Sequence, residues 1–123
     1  MPGRSTIGVR KRELDGLFEA LSLFDKIHEG TLSTVEKRDV RVPSKSVPGG
    51  WALILAHYNA AGAHACTTHQ IIGPNGDVRH WDGADIYVGD VIIYKLPQRS
   101  QASEGLLALR WLRGVWQRLL RRL

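Results

Sequence analysis

The chain has 123 residues, with 17 Lys and Arg against 12 Asp and Glu, a formal charge of +5. That is one domain's worth of chain, and 43% hydrophobic with 24% charged residues excludes a disordered solvating chain and a collagen-like or low-complexity one. Cys66 stands alone, so no internal disulfide forms; no apolar run has signal-peptide character or the roughly 20 residues of a membrane span, and a cytoplasmic protein is expected.

Residues 1–12 carry Arg4, Arg10, Lys11 and Arg12 and no acid. They read as a basic N-terminal arm, mobile, with residues 1–10 outside any helix because positive charge opposes the dipole at a helix start. Leu14, Leu17, Phe18, Leu21, Phe24 and Ile27 then recur at three- and four-residue steps, which predicts one amphipathic helix from about residue 11 to 28, closed by Gly30. From Thr34 to Val42 the period changes to two in a very polar stretch, as in an edge strand, and Pro43 with the segment to Gly50 ends it.

Trp51 to Ala56 is an uninterrupted apolar run, the mark of a central strand buried on both faces, with His57 and Tyr58 at its exit. A turn at 59–62, a strand over 65–72, a hairpin at Gly73-Pro74-Asn75-Gly76 and a returning strand over 77–81 follow. Asp82-Gly83 reads as a further turn, and 86–88 with 91–96 as a second hairpin around Gly89-Asp90. Residues 13–97 thus form an acidic body, with seven bases against eleven acids.

Residues 98–123 are a polar linker and a basic amphipathic helix, with six arginines against Glu104. At 100° per residue, Leu109, Leu112, Val115, Trp116, Leu119, Leu120 and Leu123 fall in one arc of about 140°, with Arg110, Arg113, Arg118, Arg121 and Arg122 opposite. Ser103 is the expected N-cap. The fold class expected is α+β: an N-terminal helix, an antiparallel meander of about five strands, and the C-terminal helix.

Chemistry concentrates in the strand block. His57, His64, His69 and His80 stand near Tyr58, Cys66, Asp82 and Asp85. Histidine titrates near neutrality, so two imidazoles across a cleft can cleave RNA without metal, one as base and one as acid. His80 and Asp82 are two apart on a strand and share a face, which lets the carboxylate orient the imidazole; His57, His64 or His69 would supply the second histidine, and Arg79 or Lys95 would steady the phosphate. Whether His69 joins them depends on the hairpin. A type I turn with a bulge sets Ile72 opposite Val78 and Gln70 opposite His80, while a two-residue type I′ turn puts His69, His80 and Asp82 on one face. The plain reading is a solvated sheet surface.

His64-x-Cys66-x-x-His69, with His57 or His80, has ligand types suited to zinc, but the spacing matches no standard structural-zinc pattern, so neither metal nor cofactor is expected. A Cys66 nucleophile has no supporting signature, the glycine pairs read as turns, and Trp51 and Trp81 as core or rim aromatics. The block from Gly50 to Lys95 is similar in character to small bacterial proteins of toxin–antitoxin or mobile-element settings, without a motif that defines a family.

The expectation these features favour is a small interaction protein. Its arginine-rich C-terminal helix would bind a partner protein, a second copy of itself, or nucleic-acid phosphates of RNA or DNA. A metal-independent, toxin-like ribonuclease is the opposing expectation. A peripheral protein lying on an anionic membrane surface is the third.

Overall fold

A computed structural model describes residues 4–97. They form a mixed helix and sheet fold of two helices and a seven-stranded sheet. In chain order the elements are β1 (Ser5–Val9), α1 (Lys11–Ala20), α2 (Leu23–His28), β2 (Ser33–Glu36), β3 (Val42–Pro43), β4 (Trp51–Tyr58), β5 (His64–Ile72), β6 (Val78–Val88) and β7 (Val91–Lys95). The sheet order is β1-β7-β6-β5-β4-β2, with β3 also pairing β4. The meander β4 to β7 is antiparallel throughout, whereas β1 joins β7 in parallel. The helix expected at the C-terminus and the linker expected before it lie outside the described residues. No helix among the described residues is long and apolar enough to cross a membrane.

The N-terminal arm is corrected. Ser5–Val9 is a strand of the sheet, and its inward residues Ile7 and Val9 are buried in the core. Thr6, Ile7 and Val9 are β-branched and Ile7 and Val9 point to one face, which suits an edge place in a pleated sheet better than a mobile arm. Gly8 fits because a Cβ there would run into the Leu96 side chain. The helix then starts at Lys11, where the Glu13 carboxylate accepts the Arg10 backbone N–H at 3.0 Å. That contact offsets the basic residues around the helix start.

The single N-terminal helix is also corrected. It breaks into α1 and α2 at Ser22, which sits in the left-handed region at φ 52°. The apolar period hides this break because both pieces turn their apolar residues inward. Leu14, Leu17, Phe18 and Leu23 pack with Ile7, Val9, Cys66, Ile86 and Ile93.

The polar strand expected over 34–42 is divided as well. Both pieces pair with the same strand, Ser33–Glu36 against Leu55–Tyr58 and Val42–Pro43 against Trp51–Ala52, and a 3-10 turn at Arg38–Val40 separates them. Consequently β4 lies second from the edge rather than at the centre, and Trp51 is 40% exposed.

Register shows how the two faces of the sheet are built, since directly paired residues point the same way. One row runs His57, Cys66, Ile86, Ile93, Ile7 across five strands, and every member is buried. The helices cover this side. The adjacent row, Ala56, Thr67, Asp85, Tyr94, Gly8, belongs to the opposite side, over which no described helix packs.

Asp82-Gly83 is not a turn, because β6 runs through both residues. A Cβ at Gly83 would meet the Phe18 ring, so glycine is what lets α1 approach the sheet.

Candidate functional site

The hairpin decides which histidines meet. Gly76 donates its N–H to the Gly73 carbonyl at 3.0 Å and sits at φ 81°, the pattern of a turn followed by a left-handed glycine, and Ile72 faces Val78. Taken alone, this turn would set Gln70 against His80. A bulge between Ile71 and Ile72 instead leaves Arg79 unpaired and moves the register by one. Ile71 therefore faces His80, Gln70 faces Trp81, and His69 faces Asp82. The side chains of His69, His80 and Asp82 share the uncovered face.

The three form a cluster. The His69 and His80 rings lie 6.4 Å apart at 63°, and His80 Nε2 is 3.5 Å from Asp82 Oδ2. The same carboxylate oxygen is 3.3 Å from Lys11 Nζ, which also reaches Asp15 at 3.2 Å. Lys11 owes its place to β1 and the helix start, so no local motif points to it. Its ammonium pKa is raised, first by the hydrogen bond to Asp15 and then by Asp82. Partial burial lowers the His69 pKa, His80 lowers it further, and Asp82 opposes both. The net shift favours the neutral form of the His69 ring. The His80 side chain is 49% exposed and that of Asp82 18%, so the cluster is shallow.

His57 does not belong to it. It is fully buried on the helix-covered face, with Nδ1 2.9 Å from Thr34 Oγ1 and Nε2 2.7 Å from Thr68 Oγ1. Desolvation drives its pKa down to about 4, and the neutral ring serves as a polar tie across β2, β4 and β5.

His64 is also engaged elsewhere. Its ring stacks between Tyr58 at 5.1 Å and Tyr87 at 4.0 Å, and Nε2–H donates to the Cys66 carbonyl at 2.9 Å. Arg4 lies 6.0 Å over the Tyr87 ring. Burial lowers the His64 pKa more than the Cys66 carbonyl raises it.

The zinc set is dispersed. Cys66 is 0% exposed in the helix-side core, and burial pushes its thiol up to about 12, which disfavours a thiolate nucleophile at neutral pH. Among the described residues, no group of three or more His, Cys, Asp or Glu is placed to hold a metal ion. Arg79 is paired through its Nε with Asp77.

A cavity of about 200 Å³ lies among Asp15, Phe18, Glu19, Ser22, Phe24 and Asp25 and contains none of the histidines.

No family model matches the chain, and no curated protein or solved structure is similar to it.

Proposed function

We propose that the protein is a small interaction protein whose arginine-rich C-terminal segment binds nucleic-acid phosphates. One observation carries this reading. The basic arm is part of the folded sheet and helix, so residues 4–97 hold eleven bases and eleven acids and are neutral together. All of the formal +5 then resides in residues 98–123. The binding groups would be Arg110, Arg113, Arg118, Arg121 and Arg122, and the spacing of Leu109, Leu112, Trp116 and Leu119 is that of one side of an amphipathic helix.

A second reading has its own support in the grouping of His69, His80 and Asp82. In this ribonuclease, His69 takes the proton of the RNA 2′-hydroxyl. The 2′-oxygen attacks phosphorus to form a 2′,3′-cyclic phosphate, and His80, oriented by Asp82, protonates the departing 5′-oxygen.

One experiment addresses both. The full chain is incubated with a single-stranded RNA between 50 and 200 mM salt, and binding and cleavage are followed together. Phosphate binding by five arginines gives a log–log salt slope of up to about −3.5, which alanine substitution of the five removes. A slope near zero, or binding untouched by those substitutions, overturns the first reading in favour of an apolar partner surface. Cleavage present in the wild type and lost in His80→Ala establishes the second, and intact RNA at stoichiometric protein rejects it.

A further inference from the structure

The two faces of the sheet are finished differently. Helices α1 and α2 pack over β6 and β7 on the side of Cys66, Ile86 and Ile93. On the opposite side, register places Ile54 beside His69, Ile71 beside His80 and Ile92 beside Tyr87, with the small residues Ala56 and Thr67 between them. No described element covers these isoleucines. Val35, Val42 and Tyr94 on the same side are 54%, 52% and 39% exposed.

This face is also acidic at its centre. Asp82 and Asp85 both point to it, and Asp85 Oδ1 is out of solvent with no hydrogen-bond partner among the described residues. Its other oxygen is reached by the Tyr87 hydroxyl at a long 3.4 Å. A carboxylate oxygen removed from water without a donor is costly, so the site calls for a cation or an N–H.

We infer that the open face is the docking site of the protein's own residues 103–123. Three features of the chain select this occupant. The described chain ends just beyond β7, and residues 98–102 are a short polar connection, so the segment is held beside the sheet at high effective concentration. Its length fits: as a helix at 1.5 Å per residue it is about 30 Å long, which matches the nine residues of β5 at about 3.3 Å each. Its charge is complementary, and on a helical projection Arg113 and Arg122 flank the apolar arc, each about 20° from its edge. With the arc on Ile54, Ile71 and Ile92, one of these two arginines would lie where it can donate to Asp85, the carboxylate with an oxygen left without a donor, whereas Asp82 is already met by Lys11.

Docking in this way divides the segment's labour. The leucines and Trp116 complete a helix, sheet, helix sandwich, and Arg110, Arg118 and Arg121 remain outward. The inference rests on the helical form assumed for the segment in the proposed function, and it narrows the partner to one that meets arginines rather than leucines.

The test follows isoleucine methyl resonances of the full chain at low concentration, without nucleic acid. Leu112→Glu combined with Leu119→Glu is expected to shift Ile54, Ile71 and Ile92 and leave Ile7, Ile86 and Ile93 in place. Unchanged open-face methyls overturn the inference, and so do shifts that follow protein concentration, which assign the face to a second copy. Should the double variant unfold, a nitroxide on Leu123→Cys gives an independent reading, since Cys66 is buried and resists the label. Loss of methyl intensity confined to the open face supports docking, and intensity retained there overturns it. Failure of docking leaves the RNA salt slope intact, whereas failure of RNA binding leaves the methyl pattern intact.

Discussion

The two faces of one sheet treat the same residue type in opposite ways. His57 on the helix-covered face is fully buried, pinned at both ring nitrogens by Thr34 and Thr68, and held neutral. His69 and His80 on the other face are grouped with each other and with a carboxylate, within reach of solvent. A histidine's surroundings here are decided by strand parity, because one position along a strand exchanges a buried tie for a ring within reach of solvent.

The sharpest way to break this comparison is to remove one side chain from each face. Phe18 packs against Gly83 and, at 5.1 Å, against Phe24, so Phe18→Ala is expected to cost about 3–5 kcal/mol in a urea unfolding titration. His80→Ala is expected to change stability by no more than about 0.5 kcal/mol. Comparable losses from the two would mean that the faces are not energetically distinct.

A smaller effect sharpens the comparison through pH. The His57 pKa lies near 6.5 in an unfolded chain and falls to about 4 on folding, so the unfolded state binds the proton more readily between those values. Its contribution is whole above pH 6.5 and is lost as the pH falls toward 4, on the order of 3 kcal/mol at the acid end. Unfolding titrations of the wild type and His57→Gln at pH 7, 5 and 4 isolate that share from the carboxylates that lose stability in acid for the same reason. A difference between the two proteins that stays constant with pH would remove His57 from the account.

The smallest effect concerns the helix cover itself. Ser22 holds a left-handed conformation that glycine adopts freely, and Ser22→Gly is expected to stabilise by about 0.5 kcal/mol, read as a raised urea midpoint. A destabilised variant would show that the serine side chain contributes more than its backbone strain costs.

Several parts of this arrangement are legible in the residues alone. The apolar run from Trp51 to Ala56 marks β4, and the glycines at 73 and 76 mark the hairpin. Pro74-Asn75-Gly76 leaves two turn types open, and of these the type I turn with a bulge is the one that sets Ile72 opposite Val78, as found. The grouping of His69 with His80 cannot be read, since it depends on Arg79 being extruded one pair further on, and no residue there has bulge chemistry of its own. Gly83, beside a second bulge where Thr67 pairs Asp85 but Thr68 pairs Gly83, is similar: the glycine is visible, but its purpose, room for Phe18, exists only once α1 is in place. Strand β1 carried a faint signal in Ile7 and Val9, outweighed by the bases on either side of it. Lys11 enters the cluster only as a consequence of that strand.

The parallel pairing of β1 with β7 has a consequence for how the chain is made. Ser5 meets Val91 and Val9 meets Lys95, so the earliest of the described strands to be synthesised is received by the latest of them. Ile7 and Val9 stay without their neighbours Ile93 and Lys95 until nearly the whole described chain has been synthesised. Closure over so long a loop slows folding, and the β7 margin of the growing sheet offers unpaired backbone groups to other chains until β1 arrives. Ser5–Val9 thus act as a clasp, and their deletion is expected to leave the β7 margin open to pairing with other chains.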